Sequence, residues 1–482
     1  MYILKSNYII ITMYRKANDT ISKWLKKKNR KPLLLRGARQ VGKSTLVRLA
    51  ATENNFRLIE INLELHRELR TLFIENNIEK ILLSIISITR QKIDDNSIVF
   101  LDEIQAIPEA IASLRYFYEL KPEIPVIAAG SLIEFTLSKH EYSMPVGRIE
   151  YLFLGPMTFL EFLKEVDSEN YELLTTFSWS NPFPEPVHRK LLEYVRSFMA
   201  IGGMPEAVKS FTSSRNINEV ISVQNSICNT YIDDFSKYAQ ERELHLLQQI
   251  FKAVPRQAGT VVKYSHLLPD EKSTHTKNRL DLLIKAQVIR QTLSTAANGV
   301  PLSAESNEKF RKLYFIDIGL SNRLLQLDTI DFFQFSDHKV INEGSLAEQF
   351  ICQHLYFDDT FQTPSETFFW MNTGKNTNAE IDFVINRGSF LFPIEVKSGS
   401  SGTLKSLHYF MYQKQKTHAV RFDCNTPSCQ EITTTISLGN TMTPSKYTLL
   451  SLPLYAVELL PEMIDKIRTA HTAKQDPLAD RP

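Results

Sequence analysis

Two stretches of the sequence carry residue types spaced for phosphate chemistry. In "RGARQVGKSTL", Gly37 to Ser44 match G-x-x-x-x-G-K-[ST]. In "AEIDFVINRGSFLFPIEVKSG", Ala379 to Gly399, two acidic residues lie on one short alternating segment and Glu-Val-Lys on the next. Alternation along an extended strand sends Glu395 and Lys397 to one face and Val396 to the core. A carboxylate held beside an ammonium points to work on a phosphate.

The first motif sits between an apolar run, "PLLL", and a helical pattern, "TLVRLAATE". Such a loop wraps phosphates with backbone N–H groups, here from Gln40 through Val41, Gly42, Lys43 and Ser44 to Thr45, at a helix N-terminus. Lys43 reaches the β and γ phosphates of ATP, Ser44 ligates Mg2+, and Gly37 and Gly42 supply conformations that a side chain would block. A second apolar run, "SIVFLDEIQ", ends in Asp102, expected to hold Mg2+ through water, and Glu103, expected to polarise the attacking water. An Asp-Glu pair is also an ordinary helix cap. A third run, "IPVIAAGS", ends at Ser131, a candidate sensor of the γ-phosphate. Arg148 is a candidate arginine finger, from its own chain or from a neighbouring copy in a homo-oligomer, with a plain surface charge as the alternative.

These residues need elements to position them. At 482 residues the chain is too long for one core, and roughly 150 residues per domain gives about three. Lys+Arg at 56 against Asp+Glu at 54 leaves +2, so global charge neither demands nor excludes a nucleic acid. The four cysteines show no C-x-x-C pair and no zinc-ligand spacing, which fits a reduced, cytoplasmic protein. The opening "MYILKSNYIIIT" is far short of the ~20 apolar residues that span a bilayer, so no membrane partner is expected. Residues 1–12 read as a start-site extension before Met13, and "RTAHTAKQDPLADRP" as a frayed tail.

The chain resembles the AAA-type P-loop ATPases of bacteria and archaea. It is most similar to an uncharacterised group with "RQVGK" in the P-loop, a strand ending in Asp-Glu, and a Gly-Arg before Pro-x-x-Phe-x-x-Phe, here "GRIEYLFLGPMTFLEFL". "GGMPEAV" and "KLYFIDIGL" are further matches, and for these downstream segments the group offers mainly a domain of unknown function. The expected architecture is α/β: a P-loop AAA-type core at 13–155, a helical lid and spacer at 156–241, a winged helix at 242–337, an α/β restriction-endonuclease-like domain at 338–456, and a C-terminal helix end and tail at 457–482.

Within 242–337, Ser273 or Thr274 can cap a helix whose stripe is Leu280, Leu283 and Ala286, and two strands follow around Asn298-Gly299. On DNA, Thr276, Lys277 and Arg279 would face the groove, with Lys309, Arg311 and Lys312 on a wing near phosphate. The alternative is a solvated face on a domain that relays to the ATPase. From 338 the order α-β-β-β-α-β is similar to the core of restriction-endonuclease-like nucleases, whose signature is an Asp, a spacer and Glu-x-Lys. Asp382, twelve intervening residues and Glu395-Val396-Lys397 match it. Two carboxylates could share Mg2+, Lys397 would orient water, and Glu348 could add a carboxylate. Such folds also keep a site shape for binding alone. Trp370 reads as core. The leading expectation is an ATPase whose hydrolysis is coupled to a DNA-binding, nuclease-like module. The rival is a nucleotide-dependent switch or scaffold for a protein partner with an inactive nuclease-like domain.

Overall fold

Strands of a parallel sheet are buried on both faces, so they form from unbroken apolar runs. The computed structural model describes residues 13–137, 145, 147–327, 329, 332, 344–356, 361–372, 374, 379–398, 403–438 and 441–475. The 1–12 extension and the last seven residues lie outside them. The chain divides into two units, Met1–Gly155 with Asp359–Thr363, and Pro156–Asp358 with Pro364–Pro482.

The first unit runs α1 (Ala17–Leu25), β1 (Leu33–Arg36), α2 (Lys43–Glu53), β2 (Arg57–Asn62), α3 (Arg70–Glu75), α4 (Ile78–Thr89), β3 (Ser97–Asp102), α5 (Glu109–Leu120), β4 (Val126–Ala129), α6 (Ile133–Leu137) and β5 (Glu150–Phe153). The sheet order is β2-β3-β4-β1-β5, all parallel. Every residue of β3 and β4 is buried. Leu34, Ile59, Val99, Ile81, Leu114 and Phe117 share one core cluster that glues helices to the sheet. Because the strands are parallel, the ends of β1, β3 and β4 open on one edge, where ligands of open α/β sheets bind.

The second unit begins with helices α7 (Phe159–Val166), α8 (Ser168–Thr175), α9 (Glu185–Ile201), α10 (Pro205–Ser214), α11 (Ile217–Asp234), α12 (Glu241–Ala253), α13 (Tyr264–Leu267) and α14 (Ser273–Lys285). Thr158 caps α7 with a reciprocal Thr158–Glu161 box. Then come β6 (Ile289–Thr295), β7 (Ser306–Phe315), α15 (Ile318–Leu324), α16 (Gly344–Leu355), β8 (Thr367–Met371), β9 (Glu380–Arg387), β10 (Phe390–Val396), α17 (Lys405–Lys414), β11 (His418–Asp423), β12 (Ser428–Leu438), β13 (Thr441–Pro453) and α18 (Leu460–Gln475). The eight strands form one mixed sheet, β12-β13-β11-β10-β9-β8-β6-β7.

Several expectations need correction. The boundary at 337/338 does not divide the sheet, because β6 pairs in parallel with β8 (Thr292 opposite Thr367). The 156–241 helices also belong to the same unit as the sheet, while 359–363 belongs to the first. Neither Ser273 nor Thr274 caps α14: the cap position is Lys272, with no side-chain bond. The helix α18 extends to Gln475, so most of the expected tail is helical. The stripe Leu280, Leu283 and Ala286 is buried, and Trp370 packs edge-on to Phe410 at 5.1 Å.

The "GGMPEAV" and "KLYFIDIGL" segments meet. Asp317, fully buried, accepts from Gly203 N at 2.6 Å and from Leu320 N at 3.0 Å, so one carboxylate caps α15 and grips the turn between α9 and α10. Gly202 has φ +77, and a Cβ there would collide with that carboxylate. Gln349 on α16 bonds both Phe315 N and Phe315 O at 2.8 Å, extending the end of β7 as another strand would.

Candidate functional site

Two separate sites result, one in each unit. In the first, β1 ends at Arg36 and the chain turns through Gly37, whose φ of +147 and contact with the Leu154 carbonyl leave no room for a side chain. Gln40 and Gly42 have φ of +61 and +91, and α2 begins at Lys43. This places the N–H groups of a loop and a helix start around one hollow, as an anion requires. Lys43 Nζ donates to Gly37 O at 3.0 Å and Ala38 O at 2.7 Å. Burial lowers its pKa to about 8, with the charges of Glu103 and Asp102 working the other way.

Ser44 Oγ donates to Asp102 Oδ2 at 2.8 Å, across from the end of β3. Burial raises the Asp102 pKa, opposed by the Ser44 bond. A hydroxyl and a carboxylate converging beside a phosphate loop is a donor set suited to Mg2+, which prefers oxygen ligands. Glu103 follows at φ +52, its carboxylate bonded by the Gln105 amide. Ser131, just past β4, is 2 % exposed, and its Oγ has no partner among the described residues. Lys43, Ser44, Asp102, Glu103 and Ser131 thus gather at the open edge of the sheet, with Val41 buried beneath and Gln40 and Thr45 exposed.

Arg148 lies elsewhere. It precedes β5, whose first residue Glu150 is level with Leu33 at the start of β1, and it pairs with Glu119 in the last turn of α5 at 3.0 Å. The length of a four-residue strand, about 13 Å, separates that edge from the phosphate loop. Its side chain therefore does not serve the loop of its own chain.

Arg15 escaped the sequence reading. Buried, it donates to Val41 O at 2.7 Å and Gly155 O at 2.8 Å and so holds the loop from behind. A lone arginine in "MYRKAND" gives no signal of that.

In the second unit, β9 and β10 pair antiparallel with Ile394 opposite Phe383. Asp382 Oδ2 accepts from Val396 N at 2.8 Å, and Glu395 Oε1 accepts from Lys397 Nζ at 2.5 Å. Glu348 arrives from α16 and accepts from Tyr314 OH at 3.0 Å. Burial raises the pKa of Glu348, Asp382 and Glu395, and the Asp382 charge adds to the rise at the two glutamates. A carboxylate group raised in this way is one that an added cation would stabilise.

The six residues expected on DNA are not displayed as a basic face. Thr276 is fully buried. Arg279 is 13 % exposed and pairs with Glu271 at 3.5 Å and Glu243 at 3.8 Å. Arg311, 4 % exposed, pairs with Asp281 at 3.1 Å. Lys312 is fully buried among Glu348, Glu380 and Asp382. Arg311 and Lys312 are buried because β7 is paired into the eight-stranded sheet rather than standing free as a wing, while Thr276 and Arg279 lie on α14. Lys309 is exposed and Lys277 half-buried, with Lys277 3.9 Å from Glu308.

Residues 29–163 match the family model of an AAA domain, and residues 192–331 and 343–444 match two domains of unknown function, DUF8612 and DUF4143. Among curated proteins nothing matches the chain. Similar solved structures include the Walker-type ATPase PABY2304 of Pyrococcus abyssi, 16% identical over 65% of this chain and 96% of that one, TM-score 0.42. The Aeropyrum pernix ORC1 protein in complex with DNA is 12% identical over 66% and 92%, TM-score 0.29. The Thermotoga maritima RuvB Holliday junction branch migration motor is 14% identical over 58% and 90%, TM-score 0.28. No helix among the described residues is long and apolar enough to cross a membrane. The chain thus carries a region that matches the AAA domain and contains a P-loop motif, followed by regions that match domains of unknown function.

Proposed function

We propose that this protein hydrolyses ATP in its first unit and that its second unit holds a divalent-metal site for nucleic-acid phosphodiesters, DNA foremost. The observation that carries the first half is the Ser44–Asp102 bond at 2.8 Å beside Lys43 and Glu103. Ser44 and Asp102 would hold Mg2+, which supplies charge neutralisation on the phosphates when bound. Lys43 and the loop N–H groups bind and orient the phosphates, Glu103 orients the water, and Ser131 offers its unpartnered hydroxyl. Arg148, set at the far edge of the sheet, would act on the loop of a second copy.

For the second half, Asp382 and Glu395 would hold a metal ion, with Glu348 beside them and Lys397 positioned to orient water and offset phosphate charge. The buried Glu395 Oε2, without a partner among the described residues, supports this reading. A specific observation favours the rival switch: Arg279, Arg311 and Lys312 are committed to internal ion pairs, so DNA would have to be gripped without them. The test is cleavage of plasmid or single-stranded DNA with Mg2+ or Mn2+. Wild type should cut, and Asp382→Ala should fall to background while hydrolysing ATP at the wild-type rate. Equal cutting by both proteins, or none by wild type, favours the switch.

A further inference from the structure

Lys312 has no part in the chemistry described so far. It stands on β7, fully buried, with its Nζ 2.5 Å from Glu380 Oε1, 3.4 Å from Glu348 Oε2 and 3.8 Å from Asp382 Oδ1. A lysine can stay charged fully out of water where carboxylates replace its hydration. Tyr314, two residues on and therefore on the same face of β7, donates to that same Glu348 oxygen at 3.0 Å. The strand thus delivers an ammonium and a phenol to the cluster formed by α16, β9 and β10.

The oxygens of that cluster are unevenly committed. Asp382 Oδ2 is taken by Val396 N and Glu395 Oε1 by Lys397. Glu348 Oε2 and Glu380 Oε1 are taken by Lys312, with Tyr314 helping at Glu348. On the two hairpin carboxylates, Asp382 and Glu395, two oxygens remain: Asp382 Oδ1, which has Lys312 only at ion-pair distance, and Glu395 Oε2, on a residue 5 % exposed and with no partner among the described residues. Two carboxylate oxygens suit one divalent ion that completes its shell with water, and the ammonium already neutralises the other side.

We infer that Lys312 is the second cation of this site, so that the second unit binds one divalent metal ion, on Asp382 and Glu395, where a two-metal centre would bind two. The inference rests on the metal-site reading above. The ammonium supplies fixed positive charge behind the carboxylates, part of what a second ion contributes in two-metal sites. Lys312 is a positioning residue here, acting through Glu348 and Asp382.

The test counts Mn2+ bound to the nucleotide-free full chain by the electron spin resonance of free Mn2+, taking the difference from Asp382→Ala to isolate this site. Wild type should bind one ion. Lys312→Met, which uncovers Glu348 and Glu380, should bind two, and Lys312→Arg should return to one. Two ions on wild type overturn the inference whether or not Lys312→Met folds, and so does one ion on a Lys312→Met chain that still melts cooperatively and binds nucleotide. If wild type binds none and Lys312→Met binds one, Lys312 replaces the metal altogether and the second-cation role is wrong. If neither binds any, the metal-site reading itself has failed.

Discussion

The two sites are assembled in opposite ways. In the first unit, the loop, the lysine and the hydroxyl proposed to hold magnesium are neighbours in sequence, Gly37 to Ser44, and the groups proposed to face an anion are backbone N–H. In the second, the charged groups come from β7, α16, β9 and the end of β10, between Lys312 and Lys397, and they are side chains that hold one another. A backbone site tolerates variation around it as long as the turn survives. A side-chain site depends on each partner, because removing one leaves a buried charge uncompensated.

The largest expected effect breaks the first site without disturbing the second. Glu103→Gln should lower ATP turnover by about 10²–10⁴-fold, the usual range for a positioned base, while retaining bound nucleotide and leaving Mn2+ binding by the second unit unchanged. Steady-state hydrolysis within a few-fold of wild type would remove Glu103 from its assigned role.

A smaller effect sharpens the contrast through protons. The pKa of Lys43 is lowered to about 8, chiefly by burial, so the free protein holds fewer protons there than the unfolded chain between about 8 and the ordinary 10.5. Over that window the unfolded state binds more protons, and this lysine's contribution makes stability rise with pH. Phosphates favour the charged ammonium, so on ATP binding this lysine should take up a fraction of a proton at pH 8 and none at pH 6. Calorimetry in two buffers of different ionisation enthalpy measures the uptake, and Lys43→Ala should abolish the pH 8 difference. No uptake in wild type at pH 8 would place the amine in solvent.

The smallest effect tests what is left of the helix and hairpin as a nucleic-acid face. Lys277→Ala with Lys309→Ala should change DNA retention less than about twofold at 0.15 M salt, since two charges in reach of solvent, one near Glu308, are largely screened. A loss of tenfold or more, with a flatter salt dependence, would restore the face.

Much of the first site was legible because local rules govern it. A turn that needs Gly37, a helix start at Lys43 and an apolar strand ending at Asp102 each leave a mark within a few residues. Arg15 left none, since it reaches carbonyl oxygens far along the chain, at Val41 and Gly155. The nuclease-like order of elements was read from alternation and helical spacing, and α16, β8 to β10, α17 and β11 lie within a few residues of it. The final strands β12 and β13 were not read, because "CQEITTTISL" and "MTPSKYTLLSLP" lack a clean apolar face over much of their length. Lys312 was assigned to the outside for a physical reason: lysines are nearly always exposed. The pairing of β6 with β8, with the Gln349–Phe315 contacts of α16, brings β7 to the carboxylates, and long-range register has no local signature.

That pairing has a consequence for how the second unit is inherited. Thr292 and Thr367, joined across it at 2.8 Å, lie in segments that match two different family models, so the seam between those models runs through a hydrogen-bonded sheet. A recombination event that exchanged either segment alone would carry half of a ladder into a foreign partner and leave bare strand edges, which attract other chains. Kept together, the two segments preserve the ladder, with the lysine on one side of the seam and the carboxylates on the other.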